Sequence, residues 1–298
     1  MSKDHSHCSG CSLCLLACPV WRQTRDIRLT PHGRAKAMQH GASAQDVSAS
    51  VAQCTLCGAC EPACPENIPL VDMILDLRRE VPIAEAAFSA SPARPAAADL
   101  LLATRSLNGD RLARAARLLD AAVVDCSNIA LALETGTPIP AGRLEDFLDS
   151  LRGARNIAVA EGLLLRRLRE WLPGMKVASL GAALMNLASV RSQIRKTDLY
   201  VIEPRAFNGD HANQIGHYDA LRLSTGCMTN LDLQRLAMPT TASAAQREFG
   251  LPAIDAADQA RWILEGRDYE RVVVEDAADC AVFEAVTDRP VVHLADLA

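Results

Sequence analysis

Residues 8–19 read CSGCSLCLLACP, and residues 54–65 read CTLCGACEPACP. Both stretches place three cysteines at intervals of three, a fourth cysteine four residues later, and a proline directly after it. Eight of the 11 cysteines in this 298-residue chain lie in these two copies. Two complete copies of one spacing indicate that the eight thiols serve a common purpose.

The composition limits what these thiols can bind. Hydrophobic residues make up 49% of the chain and charged residues 22%, which is typical of a globular protein with one large or two ordinary domains. The net charge of −5 and the lack of a Lys/Arg run argue against a nucleic-acid partner. No apolar stretch reaches the roughly 20 residues that span a bilayer, so we expect no direct membrane insertion.

The start of the chain, MSKDHSHCSGC, has no apolar segment typical of a secretory signal. We therefore expect a cytoplasmic protein with reduced thiols, and attachment to the inner membrane only through partners is the alternative. Reduced cysteines in this number favour a metal centre over disulfides.

The spacing indicates which metal. Structural zinc sites usually combine C-x2-C pairs separated by a loop of a dozen or more residues. Three cysteines at intervals of three, then cysteine and proline, are instead the bacterial ferredoxin pattern for 4Fe-4S clusters, in which the fourth cysteine binds the other cluster. Zinc or reactive surface thiols remain the alternative interpretation.

The ferredoxin pattern predicts two crossed sets of ligands and hence two 4Fe-4S clusters. The first set is Cys8, Cys11, Cys14 and Cys64. The second set is Cys54, Cys57, Cys60 and Cys18. Crossing requires the two copies to pack as a pseudo-two-fold pair. We predict no catalytic residue in this chain.

The residues around the cysteines predict a covered site. Apolar side chains that could shield the clusters from water are Leu13, Leu15, Leu16 and Leu56. After the second copy, ENIPLVDMILDLRRE predicts a helix opened by Pro69, with Leu70, Ile74 and Leu77 on the face that covers a cluster. Two short helices are expected between the copies, in residues 20–53.

The two copies, a Pro-x-Gly-Arg element (Pro31, Gly33 and Arg34) and the amphipathic helix resemble the dicluster domain of several electron-transfer subunits. These are the glycolate oxidase iron-sulfur subunit and the C subunits of anaerobic glycerol-3-phosphate dehydrogenase and heterodisulfide reductase. CPENIPLVDMI is also similar to the second motif of the C subunit of the Rnf complex. The resemblance covers about residues 5–80.

The resemblance implies an α-helical, ferredoxin-like domain in residues 1–80. It implies that the chain is a non-catalytic oxidoreductase subunit, which relays electrons from a flavoprotein dehydrogenase to a quinone or another redox acceptor. A redox- or oxygen-sensing regulatory or scaffold protein is the alternative function.

The remainder of the chain predicts a second architecture. Residues 81–153 are interpreted as a linker, FSASPARPAAADL, followed by a helical segment that includes DRLARAARLLDAAVV. Residues 154–298 alternate helical segments with the apolar runs NIAVAEG, MKVASLG, DLYVIEP, RVVVED and PVVHLADL. This alternation predicts an α/β domain with a mostly parallel sheet, and α+β as the overall class.

The glycolate oxidase and glycerol-3-phosphate dehydrogenase relatives carry Cys-Cys-Gly repeats in an α/β module that follows the dicluster domain. Downstream of its two motifs, this chain has only Cys126, Cys227 and Cys280, each isolated in sequence. We interpret these three as small apolar core residues. The α/β domain is therefore interpreted as a docking module, and as a degenerate version of the cysteine-rich module.

Overall fold

The computed structural model describes residues 4–88, 99–232, 235–240, 249 and 254–298. Most of the predicted linker, residues 89–98, lies outside this range. Within the described residues, no helix is both long enough and apolar enough to cross a membrane.

The N-terminal region consists of short helices around the cysteine copies. Its 3-10 turns are His5–His7, Leu13–Leu15 and Ile27–Leu29. Its α-helices are α1 (Pro19–Thr24), α2 (Pro31–Gln39), α3 (Ser48–Gln53) and α4 (Leu70–Glu80). Proline is the first residue of α1 and of α2, where its fixed φ and missing N–H suit a helix start. The two helices expected between the copies are α2 and α3, and α1 precedes them.

The first half of the α/β region is a four-stranded parallel sheet with six helices among the described residues. The strands are β1 (Asp99–Ala103), β2 (Ala122–Asp125), β3 (Asn156–Val159) and β4 (Val177–Ser179). The helices are α5 (Gly109–Leu119), α6 (Ser127–Thr135), α7 (Ala141–Leu151), α8 (Gly162–Trp171), α9 (Leu180–Met185) and α10 (Ala188–Arg191).

The second half repeats this plan. Its strands are β5 (Asp198–Val201), β6 (Met228–Thr229), β9 (Arg271–Val274) and β10 (Val291–His293), with a hairpin of β7 (Leu231–Asp232) and β8 (Leu236–Ala237) inserted. Its helices are α11 (Pro204–Gly209), α12 (His211–Thr225), α13 (Ala256–Leu264) and α14 (Ala277–Glu284), and a 3-10 turn follows at Leu294–Asp296.

The two parallel sheets have the same topology. The first sheet runs β2-β1-β3-β4, and the second runs β6-β5-β9-β10. Numbered by their own chain order, both sheets therefore follow the order 2-1-3-4. The α/β region is thus an internal structural repeat, in which only the second copy contains a hairpin among the described residues.

The predicted fold class is confirmed: the chain is α+β, with a helical N-terminal region and an α/β region on parallel sheets. The expected helical segment contains α5, α6 and α7, but it also contains β1 and β2, which sequence analysis missed. Short apolar runs such as DLLLA cannot be distinguished from buried helix by their pattern alone. Pairing of β1 with both β2 and β3 makes it an interior strand.

Each sheet is buried on both faces, as parallel sheets usually are. Leu100 and Leu102 pack with α4, α6, α7 and α8 on one face of the first sheet. Leu101, on the opposite face, packs in a middle core that also contains Tyr200 and Val273 of the second sheet. Because α4 shares its core with the first sheet, the N-terminal region is joined to the α/β region by continuous packing.

A buried carboxylate joins the two halves. Glu275 accepts hydrogen bonds from the hydroxyls of Tyr200 and Tyr218, both at 2.7 Å, and from the amide of Glu203 at 2.8 Å. Gly181, at the start of α9 in the first half, lies so close that a Cβ there would be 2.4 Å from Glu275 Oε1. Only glycine allows this approach of the two halves.

Candidate metal centres

The eight motif cysteines surround two cavities. One is lined by Cys8, Cys11, Cys14 and Cys64; we call it the outer cavity. The other is lined by Cys18, Cys54, Cys57 and Cys60; we call it the inner cavity. Each cavity thus receives three thiols from one cysteine copy and the fourth from the other copy. The structure groups the thiols in the same two sets of four that the crossed pattern predicts.

The two cavities are neighbours. Pro31, the first residue of α2, and Leu70, the first residue of α4, each line both of them. The two cavities therefore share part of their walls. This closeness follows from the crossing, since each copy must reach into the other copy's site.

The backbones of the two cysteine loops take matching conformations. Gly10, two residues after the first cysteine of its copy, has φ +83°, and Leu56 at the same position of the second copy has φ +55°. Two residues further on, Ser12 has φ +65° and Gly58 has φ +74°. Each loop thus contains two left-handed residues, only one of them glycine, although a left-handed backbone is unfavourable for leucine or serine. Such strain persists where the surrounding structure fixes it, as at functional sites.

The donor set fits a polynuclear cluster. Among the described residues, which include all eight motif cysteines, no three His, Cys, Asp or Glu side chains converge closely enough to hold a single metal ion. All eight are free thiols. Four thiols at each cavity, three from one copy and one from the other, match the ligand set of a 4Fe-4S cluster in the ferredoxin pattern.

Burial keeps three of the motif thiols, those of Cys14, Cys18 and Cys57, protonated at neutral pH. Burial, reinforced by neighbouring thiols, raises the pKa of Cys14 and of Cys57 to about 12. Burial also raises the pKa of Cys18 to about 11. Since metal ligation requires thiolates, iron would have to displace these protons on binding.

The inner cavity is covered from several sides. Leu70 and Ile74 on α4 line it, as predicted, while Leu77 packs in the adjoining core. Leu56, only 2% exposed, closes the cavity within its own loop.

The outer cavity lies nearer the surface. Cys11 is exposed, and Leu13 and Leu16 have 44% and 62% of their surface exposed. None of Leu13, Leu15 and Leu16 lines either cavity, so of the four leucines expected to shield the clusters only Leu56 is placed to do so. Lys36 Nζ and Gln39 Nε2 donate to the Cys8 carbonyl at 3.0 and 2.9 Å and so tie this loop to α2.

Two buried arginines of the N-terminal region support the inner cavity. Arg34, in the Pro-x-Gly-Arg element, donates from Nη1 to the carbonyls of Leu29 and Ser50, both at 2.9 Å, and lines the cavity. Arg78, on α4, donates to the carbonyls of Cys54 and Val51. Both guanidiniums therefore hold backbone around the thiols of this cavity.

The α/β region also holds the second cysteine copy. Arg205 on α11 donates to the Thr55 carbonyl at 2.7 Å, and Asn208 on the same helix donates to the Cys57 carbonyl at 3.1 Å. Arg205 also pairs with Glu134 and Glu161, both at 2.7 Å. Sequence analysis missed these contacts, since nothing in PRAFNG indicates that its polar side chains reach a loop 150 residues earlier.

None of the three remaining cysteines lines either cavity. Cys126, Cys227 and Cys280 are at most 4% exposed, and each belongs to a different hydrophobic core. The Cys126 thiol donates to the Ala103 carbonyl at 3.1 Å. Their interpretation as core residues is confirmed.

Comparisons with known proteins concern the N-terminal region. The model of the 4Fe-4S dicluster domain matches residues 4–68. Lactate utilization protein B of Macrococcus caseolyticus (strain JCSC5402) is 38% identical over 79 residues, which are 25% of this chain and 16% of that protein. The similarity therefore spans less than a fifth of that relative's length. No solved structure matches this chain. The match supports a 4Fe-4S dicluster domain with iron-sulfur clusters in the N-terminal region.

Proposed function

We propose that this chain is the electron-transfer subunit of an oxidoreductase. In this role it relays single electrons between a flavoprotein dehydrogenase and a quinone or another redox acceptor. The observation that carries the proposal is the pair of four-thiol cavities with Pro31 and Leu70 as their shared wall. Two redox sites this close form a path for an electron, and one of them reaches the surface.

The proposed ligands are the crossed sets, with Cys8, Cys11, Cys14 and Cys64 at the outer cavity and Cys18, Cys54, Cys57 and Cys60 at the inner cavity. When bound, a 4Fe-4S cluster supplies a site that gains and loses one electron. The side chains of the chain itself fix the thiols, exclude water from the inner cavity and set the local charge.

The exposed side of the outer cavity is the proposed contact for a redox partner. Cys11, which lines this cavity, is exposed, and Leu13 and Leu16 of the same cysteine copy are exposed apolar side chains. We propose a division into a dicluster domain (1–80) and an α/β docking domain that begins at β1 (Asp99–Ala103) and not at residue 154, because β1 and β2 belong to its first sheet. The latter would be a degenerate cysteine-rich module that orients the clusters against the partner.

The test is anaerobic affinity purification of the full chain from its native host, followed by mass spectrometry of what co-purifies. We expect a flavoprotein dehydrogenase, whose substrate reduces the clusters of the complex within one turnover. A chain that purifies alone and itself oxidises a small substrate with a bound flavin would contradict the proposal.

Exposure of Cys11 also suits a second function, an oxygen or redox sensor, because an exposed ligand leaves a cluster open to attack. A sensor is expected to change its binding partners when its clusters are lost. A relay is expected to keep its partner and lose only electron transfer, so one co-purification before and after exposure to air separates the two functions.

A further inference from the structure

Two buried guanidinium groups form no ion pair with a carboxylate among the described residues. Arg34 is 1% exposed and Arg78 is fully buried, and their Nε atoms have no hydrogen-bond acceptor. Their other contacts in the described part of the chain are to carbonyl oxygens and the Ser50 hydroxyl, and none is an ion pair. A buried cation without a counter-ion is strongly unfavourable, since carbonyl dipoles replace only part of its hydration.

Other arginines with little exposed surface are arranged differently. Their ion pairs are Arg166 with Glu61 and Asp72, Arg167 with Asp72 and Glu170, Arg205 with Glu134 and Glu161, and Arg271 with Asp198. The chain therefore pairs its buried arginines as a rule. Arg34 and Arg78 depart from this rule in the same place.

That place is the inner cavity. Arg34 lines the cavity beside Cys18 and Cys54, and Arg78 donates to the Cys54 carbonyl. Glu134 acts on Arg78 through space, and because Arg205 is paired with both Glu134 and Glu161, these two carboxylates also offset part of the charge of Arg78. The charge of Arg34 is not offset by any contact in the described residues. The four-thiol site therefore has an excess of positive charge beside it, which neutral thiols cannot balance.

An anionic occupant would supply the missing charge. Four thiolates around a 4Fe-4S core carry net negative charge, which grows when the core gains an electron. Nearby cations stabilise the more negative state, and burial in a low-dielectric site destabilises it. The inner cavity combines both influences on one site.

We propose that Arg34 and Arg78 are the counter-charges of the redox group in the inner cavity and raise its reduction potential above the value that burial alone would give. This inference rests on the iron-sulfur part of the proposed function and is independent of the partner. Arg34 and Arg78 are positioning residues in this account, because they act on the potential without ligating iron.

The outer cavity supplies the contrast. Its lining includes Glu66 and His32 and no arginine or lysine. The ammonium of Lys36 lies at the Cys8 carbonyl, but Lys36 is partly exposed, and solvent screens its charge. Loss of either arginine is therefore expected to change one potential of the two.

The experiment is an anaerobic redox titration of the full-length holoprotein, followed by electron paramagnetic resonance. The variants are Arg34→Gln, Arg34→Lys, Arg78→Gln and Arg78→Lys, with Lys36→Gln as the matched control at the outer cavity. We expect each Gln variant to lower one midpoint potential and leave the other unchanged. The midpoint potentials of the Lys variants should stay closer to those of the parent protein. Lys36→Gln should shift only the potential of the outer site, and by less than the Gln variants of the arginines shift that of the inner site.

If a Gln variant incorporates its clusters poorly, the iron content of the purified variants is measured instead of the potentials. Loss of about half the iron in Arg34→Gln, with iron retained in Arg34→Lys, would support a role of charge. Equal loss in both variants, or unchanged potentials in intact Gln variants, would overturn the proposal. A parent protein without two clusters would overturn the iron-sulfur assignment itself, whereas failure to find a flavoprotein partner leaves these potentials interpretable.

Discussion

The outer and inner cavities are built from the same cysteine spacing and differ in what surrounds them. The outer cavity is formed within the N-terminal region and has an exposed thiol, Cys11. The inner cavity is closed by α4, flanked by Arg34, and held through Thr55 and Cys57 by α11 of the α/β region. One ligand pattern can therefore yield two sites with different surroundings, since the rest of the chain sets their exposure and charge.

The largest expected effect concerns the crossing of the two sets. Cys18→Ser should damage the inner site, and Cys64→Ser the outer site, each reducing iron from about eight per chain towards about four. Cys280→Ser, in a core that shares no residue with the lining of either cavity, is the control and should keep its iron. The iron and sulfide content of each variant and its electron paramagnetic resonance signals are measured. If Cys18→Ser damages the site of Cys8, Cys11 and Cys14 instead, the two sets are not crossed.

The next effect tests the support of the inner cavity by α11. Arg205→Leu removes the bond to the Thr55 carbonyl and leaves Glu134 and Glu161 without their shared cation. We expect a loss of about 3–5 kcal/mol in the free energy of unfolding, as for other buried pairs that lose one partner. Anaerobic urea denaturation measures it.

In the same variant the inner site should lose its electron paramagnetic resonance signal before the outer site. Arg28→Leu, at an exposed arginine whose pair with Asp26 is on the surface, is the control and should unfold like the parent. Equal loss of both cluster signals in Arg205→Leu would show that α11 supports the whole domain and not one cavity.

A smaller effect depends on pH. Burial, and then the nearby charge of Glu161, raise the pKa of Glu203 from 4.5 to about 8. The folded chain therefore binds a proton that the unfolded chain releases between about pH 4.5 and 8, so stability falls as pH rises through this window. The slope is at most about 1.4 kcal/mol per pH unit.

Glu203→Gln should remove this part of the pH dependence, because the amide does not titrate and its oxygen can still accept from the amides at the start of α11. Denaturation curves at several pH values measure the slope. Glu265→Gln, at an exposed glutamate, is the control. An unchanged slope in Glu203→Gln would mean that Glu203 is ionised in the folded protein.

The smallest effect per site concerns the isolated cysteines. Replacement of Cys126, Cys227 and Cys280 by Ala should leave the iron content unchanged and cost about 1 kcal/mol of stability at each site, as for small core truncations. Thermal unfolding and iron analysis of the triple variant test this. Loss of iron would reveal a ligand among these three residues.

The sequence predicts the local features of the site better than its surroundings. Cysteine spacing is a short-range signal, so the two sets of four follow from it, and their ligation of iron stays a prediction. The strands at 156–159, 177–179, 198–201, 271–274 and 291–293 are found where apolar runs predict them. Strand β1 was not predicted, because the short apolar run DLLLA is compatible with a helix as well as a strand. Only its pairing with β2 and β3 in the sheet distinguishes the two.

Long-range contacts could not be predicted in this way. Arg205 and Asn208 lie 150 residues from the loop they hold, and no periodicity links the two segments. The same is true of Arg78, whose contacts with Val51 and Cys54 depend on how α4 packs. Arg34 is part of the Pro-x-Gly-Arg element that the sequence shares with dicluster proteins, but only the structure shows that its charge is buried beside Cys18.

The central claim is that this chain holds two iron-sulfur centres that carry electrons. The most direct measurement is the iron, zinc and acid-labile sulfide content of anaerobically purified full-length protein, with electron paramagnetic resonance of the reduced state. The account predicts about eight iron and eight sulfide per chain and the coupled signal of two neighbouring one-electron centres. Zinc as the dominant metal, or about four iron with a single uncoupled signal, would contradict it.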